Sequence, residues 1–173
     1  GCCVLGVFPF VAAFLFELGE TRLSIAGIVI AGFAIGGLFY TLSVARLLPW
    51  LGVRGLMIGG GVLMALQLVV LGLGLPWQAQ MASFVVLGLG FYMLHGCMQV
   101  FASELAVEAR ATSLSFHSCF FFLGQTAGPI AYGVGIEHIG KMPMLIICAI
   151  LVTLVGIVGA KLLVVRTAKP RSV

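Results

Sequence analysis

Apolar runs of about 20 residues recur six times along the chain, and only a few polar residues separate one from the next. That is the length an α-helix needs to cross a bilayer. The runs cover residues 2–18, 24–48, 56–75, 78–101, 113–136 and 143–165. Charged residues make up 8% of the 173, against about 25% in an average soluble domain. So few polar groups cannot cover the surface of a soluble fold, and a lipid solvent removes the conflict. The expected fold class is therefore an all-α membrane protein, a single six-helix transmembrane domain over residues 1–173. Every connection is short, so neighbouring helices should be antiparallel. The lipid bilayer is the first partner this implies.

Several function classes drop out at once. The chain contains neither Asp nor Asn, which removes aspartyl chemistry, N-glycosylation acceptors and the usual EF-hand ligands. Cys2, Cys3, Cys97, Cys119 and Cys148 show no zinc spacing and no disulfide framework. They read as small packing residues inside apolar runs, and neither a metal nor another cofactor is expected. The net charge of +4 does not point to nucleic acid, because the basic residues sit at helix ends. No Walker loop is present, so direct use of ATP is not expected.

Those basic residues set the orientation. Arg46, Arg54, Arg110, Lys161, Arg166, Lys169 and Arg171 fall on the side of the termini; Arg22 and Lys141 fall on the other. Both termini should then be cytoplasmic, in a multi-pass protein of the cell (inner) membrane, with Glu20, Glu137 and His138 facing outward. The first run lacks the basic leader and cleavage site of a signal peptide. It opens inside an apolar stretch without Met, so a longer natural polypeptide is expected, with an engineered or processed start as the alternative.

A repeat is visible. Gly32-x-x-x-Gly36-Gly37-x-x-Tyr40 in the second run matches Gly124-x-x-x-Gly128-Pro129-x-x-Tyr132 in the fifth. The two are three helices apart and would cross in opposite directions, as two inverted three-helix repeats require. Glycines one turn apart let a neighbouring backbone approach, and Pro129 can bend its helix. These positions serve either plain packing or a bend point.

Polar residues inside apolar runs are costly and usually face the bundle interior. Here they are Gln67, His95, Gln99, His117 and Gln125, with Glu17 near an outer end. His95 and Gln99 are four apart and share a helix face. His95 and His117 lie at similar depth, about 8–10 Å inside the cytoplasmic ends of two adjacent antiparallel helices, so their side chains are expected to meet. His95 either carries a proton or contacts substrate, or makes an interhelical hydrogen bond that only holds the bundle together. Glu17 is close enough to the interface to be a solvated helix end. Glu104 and Glu108 repel unless Arg110 or a partner neutralises them, and Ser113 is expected to cap the fifth helix.

Six helices in inverted triplets resemble half of a major facilitator superfamily transporter. The segment Ala45-Arg46-Leu47-Leu48-Pro49-Trp50-Leu51-Gly52-Val53-Arg54 is similar to that family's cytoplasmic signature loop, G-R-x-x-D-R-x-G-R-R. Arg46, Gly52 and Arg54 match; Pro49 replaces the acid and Trp50 a basic residue. Residues 88–133 resemble the fourth and fifth helices of the second half of bacterial efflux permeases, through Gly90-Phe91-Tyr92-Met93-Leu94-His95, Gln99, Glu104-Leu105, Glu108-Ala109-Arg110-Ala111-Thr112, Gly124-Gln125 and Gly128-Pro129. The resemblance implies a C-terminal six-helix half and alternating access. It also implies efflux of a small organic molecule with proton coupling, and a partner that is an N-terminal six-helix half or a second copy. It suggests that Gly128 and Pro129 seal the two halves against proton leak.

Two other classes meet obstacles in the sequence. An intramembrane serine protease needs a Ser activated by His, yet Ser115 and His117 are two apart and point to different helix faces. A self-standing six-helix protein with a structural or channel role is the other alternative; a channel needs a polar stripe or filter, and the polar residues here are sparse. No catalytic residue is assigned.

Overall fold

The computed structural model describes residues 1–105 and 107–167. Lys169 and Arg171, expected on the cytoplasmic side, lie outside the described residues. Among the described residues every regular element is helical. That is what a chain of this composition must do in lipid, where no water satisfies a free backbone N–H or C=O. The elements are α1 (Cys2–Leu5), a 3-10 turn (Phe8–Phe10), α2 (Val11–Glu17), α3 (Leu23–Gly72), α4 (Trp77–Glu104), a 3-10 turn (Val107–Ala109), α5 (Arg110–Ile139) and α6 (Lys141–Thr167). Four of them, α3 to α6, are long and apolar enough to cross a membrane, and Cys2–Glu17 is a shorter apolar segment.

The first run is not one regular helix. Pro9 sits in the opening positions of the 3-10 turn and has no N–H to continue an α-helical ladder. The chain tightens to 3-10 geometry there and resumes as α2. Other boundaries also move. The second run was expected to stop before Pro49, but the helix continues through it and breaks at Gly52, whose φ of 65° and ψ of 170° lie outside helical space. Pro49 leaves the Ala45 carbonyl without its usual i+4 donor, and the helical dihedrals end three residues later at Gly52. The segment 45–54, expected as a loop, is thus helical on both sides of a single glycine. Ser113 does not cap α5; that helix begins at Arg110 with Ala109 at the N-cap and no side-chain cap, because the 3-10 turn starts it early.

Packing shows that α3 reverses at Gly52. Gly32, Gly36 and Gly96's neighbour Tyr40 meet α4 in rising order, at Met81 to Val85, at Val85 to Leu89, and at Gly96. This first limb therefore runs parallel to α4. On the second limb the order falls: Gly60 faces Leu94, Met64 faces Gly90, and Gln67 accepts a 2.7 Å hydrogen bond from the Ser83 hydroxyl. That limb runs antiparallel to α4, and also to α6, where Met57 faces Gly156 and Gly159, and Gly72 faces Met142 and Leu145. Arg46, Arg54, Arg110 and Lys161 consequently share one end of the bundle, opposite Glu17, Glu20, Arg22 and Lys141.

The opposite end is tied electrostatically. Lys141 on α6 pairs with the Glu17 carboxylate at the end of α2 and lies 5.0 Å over the Phe14 ring. Glu17 is therefore a partnered helix end as well as a solvated one. In the following turn the Arg22 guanidinium binds Glu20 through both carboxylate oxygens, at 2.9 and 2.8 Å, and pulls that carboxyl down to about 2.

Gly52 supplies a clean test of the reversal. Its dihedrals are open essentially to glycine alone, and nothing lies within 4 Å of where a Cβ would project. Gly52→Ala should cost about 1–3 kcal/mol through backbone strain without a clash. Reversible unfolding in mixed micelles reads this directly; an unchanged midpoint would show that the limbs do not turn on this residue.

Candidate functional site

The site grows from a mirrored spacing. Phe91 precedes His95 by four residues on α4, and Phe121 follows His117 by four on α5. Residues four apart share a helix face, and the antiparallel contact lays one pair against the other. The His95 and His117 ring centroids are 5.3 Å apart. Phe91 stacks on His95 at 5.0 Å with 20° between the planes, Phe121 lies 4.6 Å from His95, and Phe91 and Phe121 are 6.0 Å apart. Each such aromatic contact contributes on the order of 0.5–1.5 kcal/mol and fixes ring orientation. The expectation that the two histidines meet is met in position. Their adjacency alone does not choose between a structural and a functional role.

Beside this cluster is a cavity of about 450 Å³, within the usual size range of small-molecule sites. α4 contributes Phe91, Leu94, His95 and Met98; α5 contributes His117, Phe120 and Phe121. Cys2, Cys3 and Val4 of α1, Met64 of the second limb, and Leu151, Val152 and Val155 of α6 complete the wall with Gly1. The surface is apolar apart from the imidazoles and thiols. The Nε2 atom of His117 is buried and has no hydrogen-bond partner among the described protein atoms.

The other expected residues are placed differently. Gln99 and Gln125 are exposed and do not line the cavity; the wall on α4 stops at Met98, one residue short of Gln99. Gly32 and Gly36 are buried against α4, and Gly124 and Gly128 lie against Cys2 and Gly6 of the first segment. Pro129 is half-buried inside α5, and Arg46 and Arg54 are exposed on either side of the half-buried Gly52. Sequence reasoning missed Phe91, Phe121 and Met98, although their spacing from the histidines was readable. It also missed Gln80, which is fully buried, donates a 2.8 Å hydrogen bond to the Leu75 carbonyl and leaves its own amide oxygen unpartnered.

Among the described residues, no group of three or more His, Cys or Glu side chains is arranged to hold a metal ion. Fold and site together define an all-helical protein with membrane-length apolar helices and a histidine-bearing cavity between them. No family model, no curated protein and no solved structure matches the chain.

Proposed function

We propose that this chain is one six-helix half of a secondary transporter of major facilitator architecture, exporting a small organic molecule in exchange for protons. Cys2–Glu17, the two limbs of α3, and α4, α5 and α6 make six crossings in two inverted triplets. Both ends of the chain are then cytoplasmic, in the cell membrane. The cavity forms one wall of a substrate path near the bilayer midplane. The second wall comes from an N-terminal half or a second copy.

One observation carries this reading: the close-packed glycine seams pair off under exchange of the triplets. Gly36 of the first limb packs on Gly88 of α4, and Gly128 of α5 packs on Gly6 after α1. Exchanging triplets turns one seam into the other. The remaining pair, the second limb and α6, meets through Gly61 and Gly156, a contact that maps onto itself. A partner is supported by α5, whose buried residues are only Gly128 and Tyr132, leaving its exposed face, Gln125 included, for a second half.

Everted membrane vesicles acidified inside and loaded with a pH-quenched dye supply the test. A panel of small aromatic compounds should include members that dissipate the proton gradient only when the protein is present. His95→Ala, expressed at the normal level, should change the dependence of this signal on pH. The titratable groups around His95 are His117, the Cys2 and Cys3 thiols and the Gly1 amino group on the same cavity wall, and an unaltered profile would remove His95 from proton coupling. The natural polypeptide should have about twice the 18.2 kDa mass of this chain. A mass near 18 kDa, with no compound dissipating the gradient, would overturn the transporter reading.

A further inference from the structure

We propose that His95, Met98 and His117 form a binding site for a soft monovalent metal ion of the Cu(I) and Ag(I) class. His95 and Met98 are three apart on α4, so imidazole and thioether share one face of that helix, and both line the cavity. His117 approaches from α5 with its ring centroid 5.3 Å from that of His95, and its buried Nε2 lacks a partner. The remaining sulfur atoms on this wall belong to Met64, Cys2 and Cys3. The same small cavity thus gathers two imidazoles, two thioethers and two thiols.

Charge selects the ion. Among the described lining residues there is no carboxylate, and a divalent ion held by neutral ligands would place two uncompensated charges in an apolar wall. Zinc further needs three or four His, Cys or carboxylate ligands together, and among the described residues no three such side chains converge. A monovalent soft ion brings half that charge, and thioether and imidazole suit it. Binding needs no electron transfer and no proton loss from the two histidines and the methionine, which coordinate as neutral donors.

The inference rests on the cavity and not on transport, so the two fail separately. Binding is read on the purified full-length protein in nanodiscs, with methionine methyl groups labelled with carbon-13 and silver nitrate as the probe. About one equivalent of silver should shift the Met98 methyl signal. His117→Gln should weaken that response at least tenfold while the other methionine signals keep their positions. If His117→Gln does not fold, Met98→Leu gives the second arm, in which silver affinity should fall at least tenfold. A Met98 signal unmoved at silver saturation would overturn the site, since silver would then be held by cysteines alone. Silver binding by a polypeptide of about 18 kDa that gives no proton-gradient signal would overturn transport and leave the metal site standing.

Discussion

Gly36→Ala should destabilise the protein by about 3 kcal/mol, at the upper end of what overpacking costs. A Cβ at this position would run into the Val85 carbonyl oxygen, with the Leu89 nitrogen at 2.6 Å and the Gly88 carbonyl carbon at 3.0 Å. All three are backbone atoms of α4, so no side chain can swing aside and the helices must separate. Separation is costly in lipid, where close packing rather than an apolar driving force holds helices together. Gly37→Ala should cost less, because the atoms nearest its Cβ belong to the Tyr92 side chain and not to backbone. Gly27→Ala, with nothing within 4 Å, should be neutral or slightly stabilising, as expected for alanine replacing glycine in a helix. Unfolding by denaturing detergent from mixed micelles ranks the three. Equal midpoints would mean that the first limb and α4 do not pack through Gly36.

The glycine motifs were readable as motifs, but their partners were not. Spacing says that Gly32, Gly36 and Tyr40 share a face; it does not say that the face meets Val85, Gly88 and Leu89. Gly6 and Gly88 carry no motif of their own and become meaningful only once Gly128 and Gly36 lie on them. The histidine pair was easier. Short connections make α4 and α5 antiparallel, depth then pairs residue 95 with residue 117, and the rings do lie side by side. Gln99 shows the limit of that reasoning. Residue i+4 lies about 40° to one side of residue i and residue i+3 about 60° to the other; the cavity is on the Met98 side of His95, and Gln99 is left exposed. Local chemistry misled at Pro49 and Ser113. A proline and a serine were read as stop and start signals, yet the chain turned at a glycine with positive φ and entered α5 through a 3-10 turn.

Tyr132→Ala should cost about 3 kcal/mol, and Tyr132→Phe about 1, and the ratio carries the information. Tyr132 is fully buried, the largest such side chain among the described residues. Its ring lies 6.0 Å from Phe10, and its hydroxyl donates a 2.7 Å hydrogen bond to the Cys3 carbonyl. That carbonyl sits where the first segment loses its ladder: α-helical bonds run from Leu5 to Gly1 and from Gly6 to Cys2, and hydrogen bonding resumes from Phe10 to Val7. The tyrosine on α5 therefore supplies a bond that the break leaves unmade. Removing only the hydroxyl exposes an acceptor that a loosened helix can satisfy again, and polar contacts between membrane helices are worth about 0.6–1.7 kcal/mol. Removing the ring opens a cavity between α5 and the first segment. Aromatic-to-alanine changes in soluble cores cost about 3–5 kcal/mol, and the low end applies here because lipid offers the unpacked helix an apolar surrounding. If the hydroxyl instead accounts for most of the loss, so that Phe and Ala are equally destabilising, then the first segment is held to α5 by that single hydrogen bond. The glycine contact between Gly6 and Gly128 would then follow from it.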